Sequence, residues 1–257
     1  MTNQDVPIFD TIDGKVLHYG RSIRGADPGT FRQVLGDWAK DKKYVYHGSL
    51  RTKIDTETFE PLNSIFARDA NHAFLIATKL RDTDASEFRV LDCGQHPTNL
   101  GPGSGFLDGG YATDGNVVWC CCRDGLFQLK AADSATLVSL GNEFAFDKRN
   151  AYYGRTIIKG ANRKTWRHWR GKLSIDDKNV FWCQKKVQGI DRYSVGLMQV
   201  RDSFADRNSV FLQDRKVEIE EYLEMLKFEE ERCQWEREWL QDGRLFERMR
   251  AEWRDSY

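Results

Sequence analysis

An aromatic–Ala–x–Asp step that returns about every thirty residues constrains this chain more than any other feature. It stands at Trp38–Ala39–Lys40–Asp41, Phe66–Ala67–Arg68–Asp69, Tyr111–Ala112–Thr113–Asp114 and Phe144–Ala145–Phe146–Asp147. Ser174–Ile175–Asp176–Asp177 reads as a variant and Phe204–Ala205–Asp206 as a shortened copy. Successive aspartates, counted on Asp177 in the variant, lie 28, 45, 33, 30 and 29 residues apart, so one interval carries an insertion. A period of this length marks small supersecondary units that cannot bury their own apolar face and must stack.

The residues after each step repeat as well. An apolar strand follows: Tyr44–Val45–Tyr46, Ala73–Phe74–Leu75, Val117–Val118–Trp119–Cys120, Ala151–Tyr152–Tyr153, Val180–Phe181–Trp182–Cys183 and Val210–Phe211–Leu212. Turns then come at Gly25–Ala26–Asp27, Ile54–Asp55, Ala131–Ala132–Asp133, Gly160–Ala161–Asn162 and Gly189–Ile190–Asp191. Three positions on stands Thr or Ser and an apolar residue: Thr30–Phe31, Thr58–Phe59, Thr136–Leu137, Thr165–Trp166 and Ser194–Val195. Glycine opens positive φ for a hairpin, and Asp or Asn side chains bond back to the backbone to reverse the chain. The pattern predicts an all-β array of about six three-stranded meanders over residues 1–215, an open solenoid or a propeller-like ring. Thirty residues look short for a four-stranded blade, which favours the open form. The stretch Asn71–His72–Ala73–Phe74 reads as degenerate.

Two copies, Ala39–Lys40–Asp41–Lys42–Lys43–Tyr44–Val45–Tyr46 and Asp176–Asp177–Lys178–Asn179–Val180–Phe181–Trp182, together with the turn Gly25–Ala26–Asp27–Pro28–Gly29–Thr30–Phe31, resemble the DKNYY family. The resemblance spans roughly residues 13–215. It implies a bacterial source and a binding or structural role, and brings no catalytic residue with it.

Composition fits a folded β protein: 40% hydrophobic and 12% aromatic residues. A formal net charge of 0 gives no support to general nucleic-acid or anionic-membrane binding. The start, MTNQDVPIFDTIDG, has no basic region followed by an apolar run, which predicts a cytoplasmic protein without membrane insertion. The six cysteines, Cys93, Cys120, Cys121, Cys122, Cys183 and Cys233, lack zinc spacing and read as reduced, buried strand residues.

No metal, cofactor or catalytic constellation is expected. GPGSG (101–105) lacks the Lys and Ser or Thr of a phosphate loop. His18 and His47 occupy equivalent strand positions, and the recurrent aspartates read as turn formers. Three segments are candidate partner-binding sites. One is the glycine-rich insertion near 92–110, with His96, Asn99 and Phe106. A second is the basic, aromatic cluster 163–172, with Arg163, Trp166 and Trp169. The third is the tail from Val217, which holds 13 acids and 7 bases and an aromatic stripe including Trp235 and Trp239. The tail predicts a C-terminal helical segment over 216–257 that caps the last repeat, with a break at Asp242–Gly243. The expected function is non-enzymatic protein binding, as an immunity protein (antitoxin) that neutralises a toxin or effector. The alternatives are a self-assembling envelope-associated repeat protein and an enzyme.

Overall fold

Each aromatic–Ala–x step folds as a short strand, antiparallel to the apolar strand that follows. In the computed structural model, which describes residues 8–97, 106–198, 200 and 202–226, Trp38–Lys40 pairs with Val45–His47 in the register Trp38↔His47, Ala39↔Tyr46, Lys40↔Val45. The same pairing recurs between Phe66–Arg68 and Ala73–Leu75, between Gly110–Thr113 and Val118–Cys122, and between Leu173–Ile175 and Val180–Trp182. An outer strand precedes each pair and another follows it, as Arg32–Leu35 and Leu50–Arg51 do in the second sheet.

The sheets therefore carry four strands where three were expected. The uncounted strand is the anchor step itself. Trp38 and Ala39 are both fully buried, so the step lacks the inside–outside alternation that advertises a strand. Thirty residues suffice for four strands because the strands are only two to five residues long, and repeat length gives no reason to exclude a four-stranded unit.

The chain divides into two compact units. The first takes Met1–Pro97 with Phe106–Asp147; the described residues of the second are those from Lys148 onward. The first unit opens with a three-stranded sheet, Phe9–Ile12, Lys15–His18 and Arg21–Ser22. Three four-stranded sheets follow: the second, just described; the third, Glu60–Pro61, Phe66–Arg68, Ala73–Leu75 and Thr78–Lys79; and the fourth, Arg89–Val90, Gly110–Thr113, Val118–Cys122 and Gly125–Gln128. It ends with the pair Val138–Gly141 and Phe144–Phe146. Successive sheets share apolar layers. Val16 and Ile23 pack with Ala39 and Tyr46, Trp38 and Val45 with Ala67 and Phe74, and Phe66 and Ala73 with Ala112 and Trp119.

The second unit starts with the pair Ala151–Tyr153 and Thr156–Ile157. Two four-stranded sheets follow, Arg167–Arg170 through Lys185–Lys186 and Gly196–Leu197 through Arg215–Val217. Trp182, Phe204 and Phe211 stack in series between them, at centroid distances of 5.7 and 5.4 Å. The helix Ile219–Leu226 then lays Tyr222 and Leu226, both fully buried, against Val200, Ala205, Val210 and Val217. This eight-residue helix is the described part of the segment expected to be helical over 216–257; the rest of that expectation, including the break at Asp242–Gly243, lies outside the described residues.

The repeating aspartates do more than form turns. Each anchor aspartate is almost completely buried and ties two segments together. Asp41 Oδ1 accepts from the Lys43 and Tyr44 N–H groups, at 2.7 and 2.8 Å, and its Oδ2 accepts from the Asp27 N–H at 3.0 Å. The link back fourteen residues recurs from Asp55 to Asp69, Asp133 to Asp147 and Asn162 to Asp176, and at fifteen residues from Asp191 to Asp206. In the fourth sheet it runs from Asp84 to Asp114, thirty residues apart, because the insertion lies between. The Thr of the turn closes a second link: Thr30 Oγ1 donates to Asp27 and accepts from the Lys42 N–H.

Two sequence expectations change on this evidence. In the sheet Arg167–Arg170 through Lys185–Lys186, Asp176, not Asp177, is the anchor: it is fully buried and accepts from the Lys178 and Asn179 N–H groups. Asp177 is exposed and instead accepts from Thr165 and Asn162. The frame is thus Leu173–Ser174–Ile175–Asp176, with Ser174 in the alanine position. Nor is Asn71–His72–Ala73–Phe74 degenerate. Asp69 accepts from the Asn71 and His72 N–H groups as Asp41 does from its own, since a backbone bond is indifferent to the side chain carried.

Candidate functional site

The interval that carries extra residues forms a β-hairpin, Gln95–Pro97 against Phe106–Asp108, with His96 opposite Leu107 and Pro97 opposite Phe106. It leaves the fourth sheet between Arg89–Val90 and Gly110–Thr113, which pair directly with each other. A two-stranded hairpin is marginal by itself, so its root matters.

That root is Asp92. Its Oδ1 accepts from the Gly94 N–H at 3.0 Å, and its Oδ2 accepts from the Tyr111 N–H at 2.9 Å and the Ser139 hydroxyl at 2.7 Å. One carboxylate therefore joins both ends of the excursion to the strand Val138–Gly141. The third sheet adds two bonds: Asn63 Nδ2 donates to Asp92 O and Ser64 Oγ to Cys93 O, both at 3.1 Å. The Gly109 N–H donates to Gly94 O and closes the neck.

Glycine is required at both sides of this neck. Gly94 has φ of +76°, and a Cβ there would stand 2.7 Å from Ser64 Oγ and 2.8 Å from Asn63 Cγ. At Gly110 a Cβ would run into the Asp92 carboxylate. The insertion's glycines read from sequence as looseness, yet these two are positions of closest approach. Asp92, Gly94 and Gly110 were missed as a set. The signal that could have found them is an aspartate followed two residues later by glycine, with a second glycine where the anchor strand resumes.

His96 and Phe106 thus belong to the strands of a rooted hairpin. Asn99, with Trp235 and Trp239 of the tail, lies outside the described residues. Arg163, Trp166 and Trp169 belong to the second unit and divide. Trp166 is only 5% exposed and donates from Nε1 to the buried Ser174 Oγ at 3.1 Å. It occupies the position of Phe31 and Phe59 and fills its own repeat. Trp169 is half-buried against the layer of Leu173, Ile175 and Val180. Arg163 is half-buried, and Arg167 and Arg170 are exposed.

The histidines have structural partners. His18 Nε2 meets Asp37 Oδ1 at 2.9 Å and His47 Nε2 meets Ser64 O at 2.8 Å, each reaching the turn before the next anchor strand. His168 Nε2 meets Gly171 O at 2.9 Å, as Gln33 Nε2 meets Gly36 O in the second sheet. Burial holds the His168 imidazole below its usual range, although the bond to Gly171 works the other way. Among the described residues Cys93, Cys120, Cys121, Cys122 and Cys183 form no disulfide with one another. Cys120 and Cys122 are buried as expected, but Cys93 is exposed because it lies at the neck and not in a strand. Burial, then Cys122, pushes the Cys121 thiol up to about 11, which disfavours the nucleophilic thiolate. An open depression of about 340 Å³ is lined by Thr58, Glu60, Arg68, Asp69, Ala70, Ala85 and Ser86. Arg68 there is already committed to Glu60 and to the Ala85, Ser86 and Phe88 carbonyls. Among the described residues no three His, Cys, Asp or Glu side chains converge as a metal site, and no helix is long and apolar enough to cross a membrane.

Short antiparallel sheets on a thirty-residue period, each locked by a buried aspartate, define a β-repeat protein that carries one rooted excursion. The family model for the DKNYY family matches residues 38–182, more than half of the chain, and the protein belongs to that family. No curated protein and no solved structure matches it.

Proposed function

We propose that this protein is a non-enzymatic protein-binding scaffold, an immunity protein that neutralises a toxin or effector by occupying it. The observation that carries the reading is the hairpin of Gln95–Pro97 and Phe106–Asp108, rooted by three bonds to one carboxylate and standing outside the four-stranded repeat. The repeats fold without such an element, as the second and third sheets do. A root this constrained lowers the ordering cost of binding. The exposed arginines of the second unit supply polar contacts of the kind found at interface rims. In the same reading the C-terminal helical segment caps the repeats, and the protein works in the cytoplasm without cofactor or metal.

Co-expression tests this directly. Products of neighbouring genes are expressed with and without the protein, and host survival and co-purification are scored. The reading predicts rescue from at least one toxic product through a stable complex. It further predicts loss of rescue when residues 95–108 are replaced by a short Gly–Ser link that leaves the fold intact. Rescue that survives this replacement contradicts the role of the hairpin; no rescue and no complex contradicts the function.

A further inference from the structure

One backbone bond marks the same position in every complete repeat of the first unit. The residue immediately after the outer strand donates its N–H to the start of the apolar strand: Ile23 to Val16 O, Thr52 to Val45 O, Leu80 to Ala73 O and Leu129 to Val118 O, at 2.8–2.9 Å. These four donors are buried. The next residue is basic each time: Arg24, Lys53, Arg81 and Lys130, all exposed. Two more exposed bases, Arg51 and Lys79, precede the donor in the second and third sheets. The neighbouring turn carboxylates are engaged elsewhere. Asp27 pairs with Lys42, Asp55 accepts from Thr58 and Glu57, and Asp84 accepts from Ser86.

We infer that this row of bases is a docking edge for an acidic polypeptide segment, separate from the hairpin. Equivalent residues of stacked sheets recur at about 10 Å, which sets the spacing of the charges. An extended polyproline II segment brings every third residue to one side at about 9 Å, so an acidic residue at that interval meets each base in turn. Nucleic acid fits less well. The chain has no net positive charge to draw it, and Tyr19 is the only exposed ring of the first unit among the described residues, leaving no row on which bases could stack.

Polyglutamate is the probe, titrated against the intact protein at low and moderate salt, with single-stranded DNA and anionic vesicles in parallel. The inference predicts that polyglutamate binds more tightly than either, and weakens as salt rises. It predicts at least a tenfold loss in a variant carrying Arg24→Ser, Lys53→Ser, Arg81→Ser and Lys130→Ser. A control variant with Lys15→Ser, Arg32→Ser, Arg89→Ser and Arg123→Ser removes four exposed bases of the same unit and keeps affinity within about twofold. The hairpin replacement also keeps it, which separates this edge from the proposed immunity function. Thermal unfolding of both variants matches the parent. No binding, equal loss in the control, or tighter binding to DNA or vesicles overturns the inference.

Discussion

The smallest unit of this fold is a buried carboxylate that accepts more bonds than its burial costs. Burial alone pushes the Asp41 carboxyl up. Bonds from the Asp27, Lys43 and Tyr44 N–H groups and the Tyr46 hydroxyl outweigh it and hold the group below 3.8. Asp114 is lowered in the same way, burial being outweighed by the Val117, Asp84 and Asn116 N–H groups. Asp41→Ala leaves several donors unsatisfied and should cost about 3 kcal/mol or more, and Asp41→Asn less, because the amide keeps one acceptor. Urea unfolding monitored by tryptophan fluorescence measures both. The turn carboxylates Asp27, Asp55, Asp84 and Asp177 are also lowered, by the Lys42 side chain, the Thr58 N–H, the Ser86 hydroxyl and the Thr165 hydroxyl respectively. A lowered folded value means that the unfolded chain takes up protons first. Stability is full above 3.8 and falls as pH drops through the folded values beneath it. Midpoint denaturant concentration should therefore decline progressively below about pH 4 and change little between pH 6 and 8. The aspartates were plain in the sequence as turn residues. Their reach of fourteen residues was not, because a side chain bonding a distant N–H leaves no periodicity beyond that of the repeat itself. Asp177 shows the limit: it stands beside Asp176, and only burial tells which of the two is the anchor.

At the scale of the element, edges and insertion decide the character of the repeat. The outer strands are short and basic at Leu50–Arg51, Thr78–Lys79 and Lys185–Lys186, which discourages edge-to-edge pairing. The opposite strands Arg32–Leu35 and Arg167–Arg170 carry a register shift, and Glu60–Pro61 a proline, with the same effect. The hairpin root makes a sharp prediction. Gly94→Ala meets both a left-handed φ and the Asn63 and Ser64 side chains, so it should cost about 1–3 kcal/mol and loosen the neck. Hydrogen exchange at the Gly94 and Gly109 amides should rise at least tenfold, while exchange in Val45–His47 stays unchanged. From sequence, the boundaries of the insertion were legible to within a few residues. Its hairpin was not, since strands of three residues flanking a glycine-rich run resemble loop.

Across the molecule, each of the two units is continuous in its own apolar layers. The period announced β units that share apolar layers, and in the first unit successive sheets do share them. The count of strands per unit escaped because fully buried three-residue strands show no alternation. In the second unit the last sheet is covered by Tyr222 and Leu226. Tyr222→Ala removes a fully buried ring and should cost about 3–5 kcal/mol. Calorimetry reads this as a lower unfolding temperature, and loss of protection at Val210–Leu212 places it in the last sheet.

The central claim is that ionised, buried aspartates fasten each repeat to the turn upstream. Carboxyl carbon NMR titration of Asp41 and Asp114 in the folded protein tests it most directly, with hydrogen exchange followed at the Asp27 and Asp84 amides. The account predicts midpoints below 3.8 for both carboxyls and protected amides that open as those carboxyls protonate. Midpoints at or above 3.8, or amides that exchange freely at neutral pH, would contradict it.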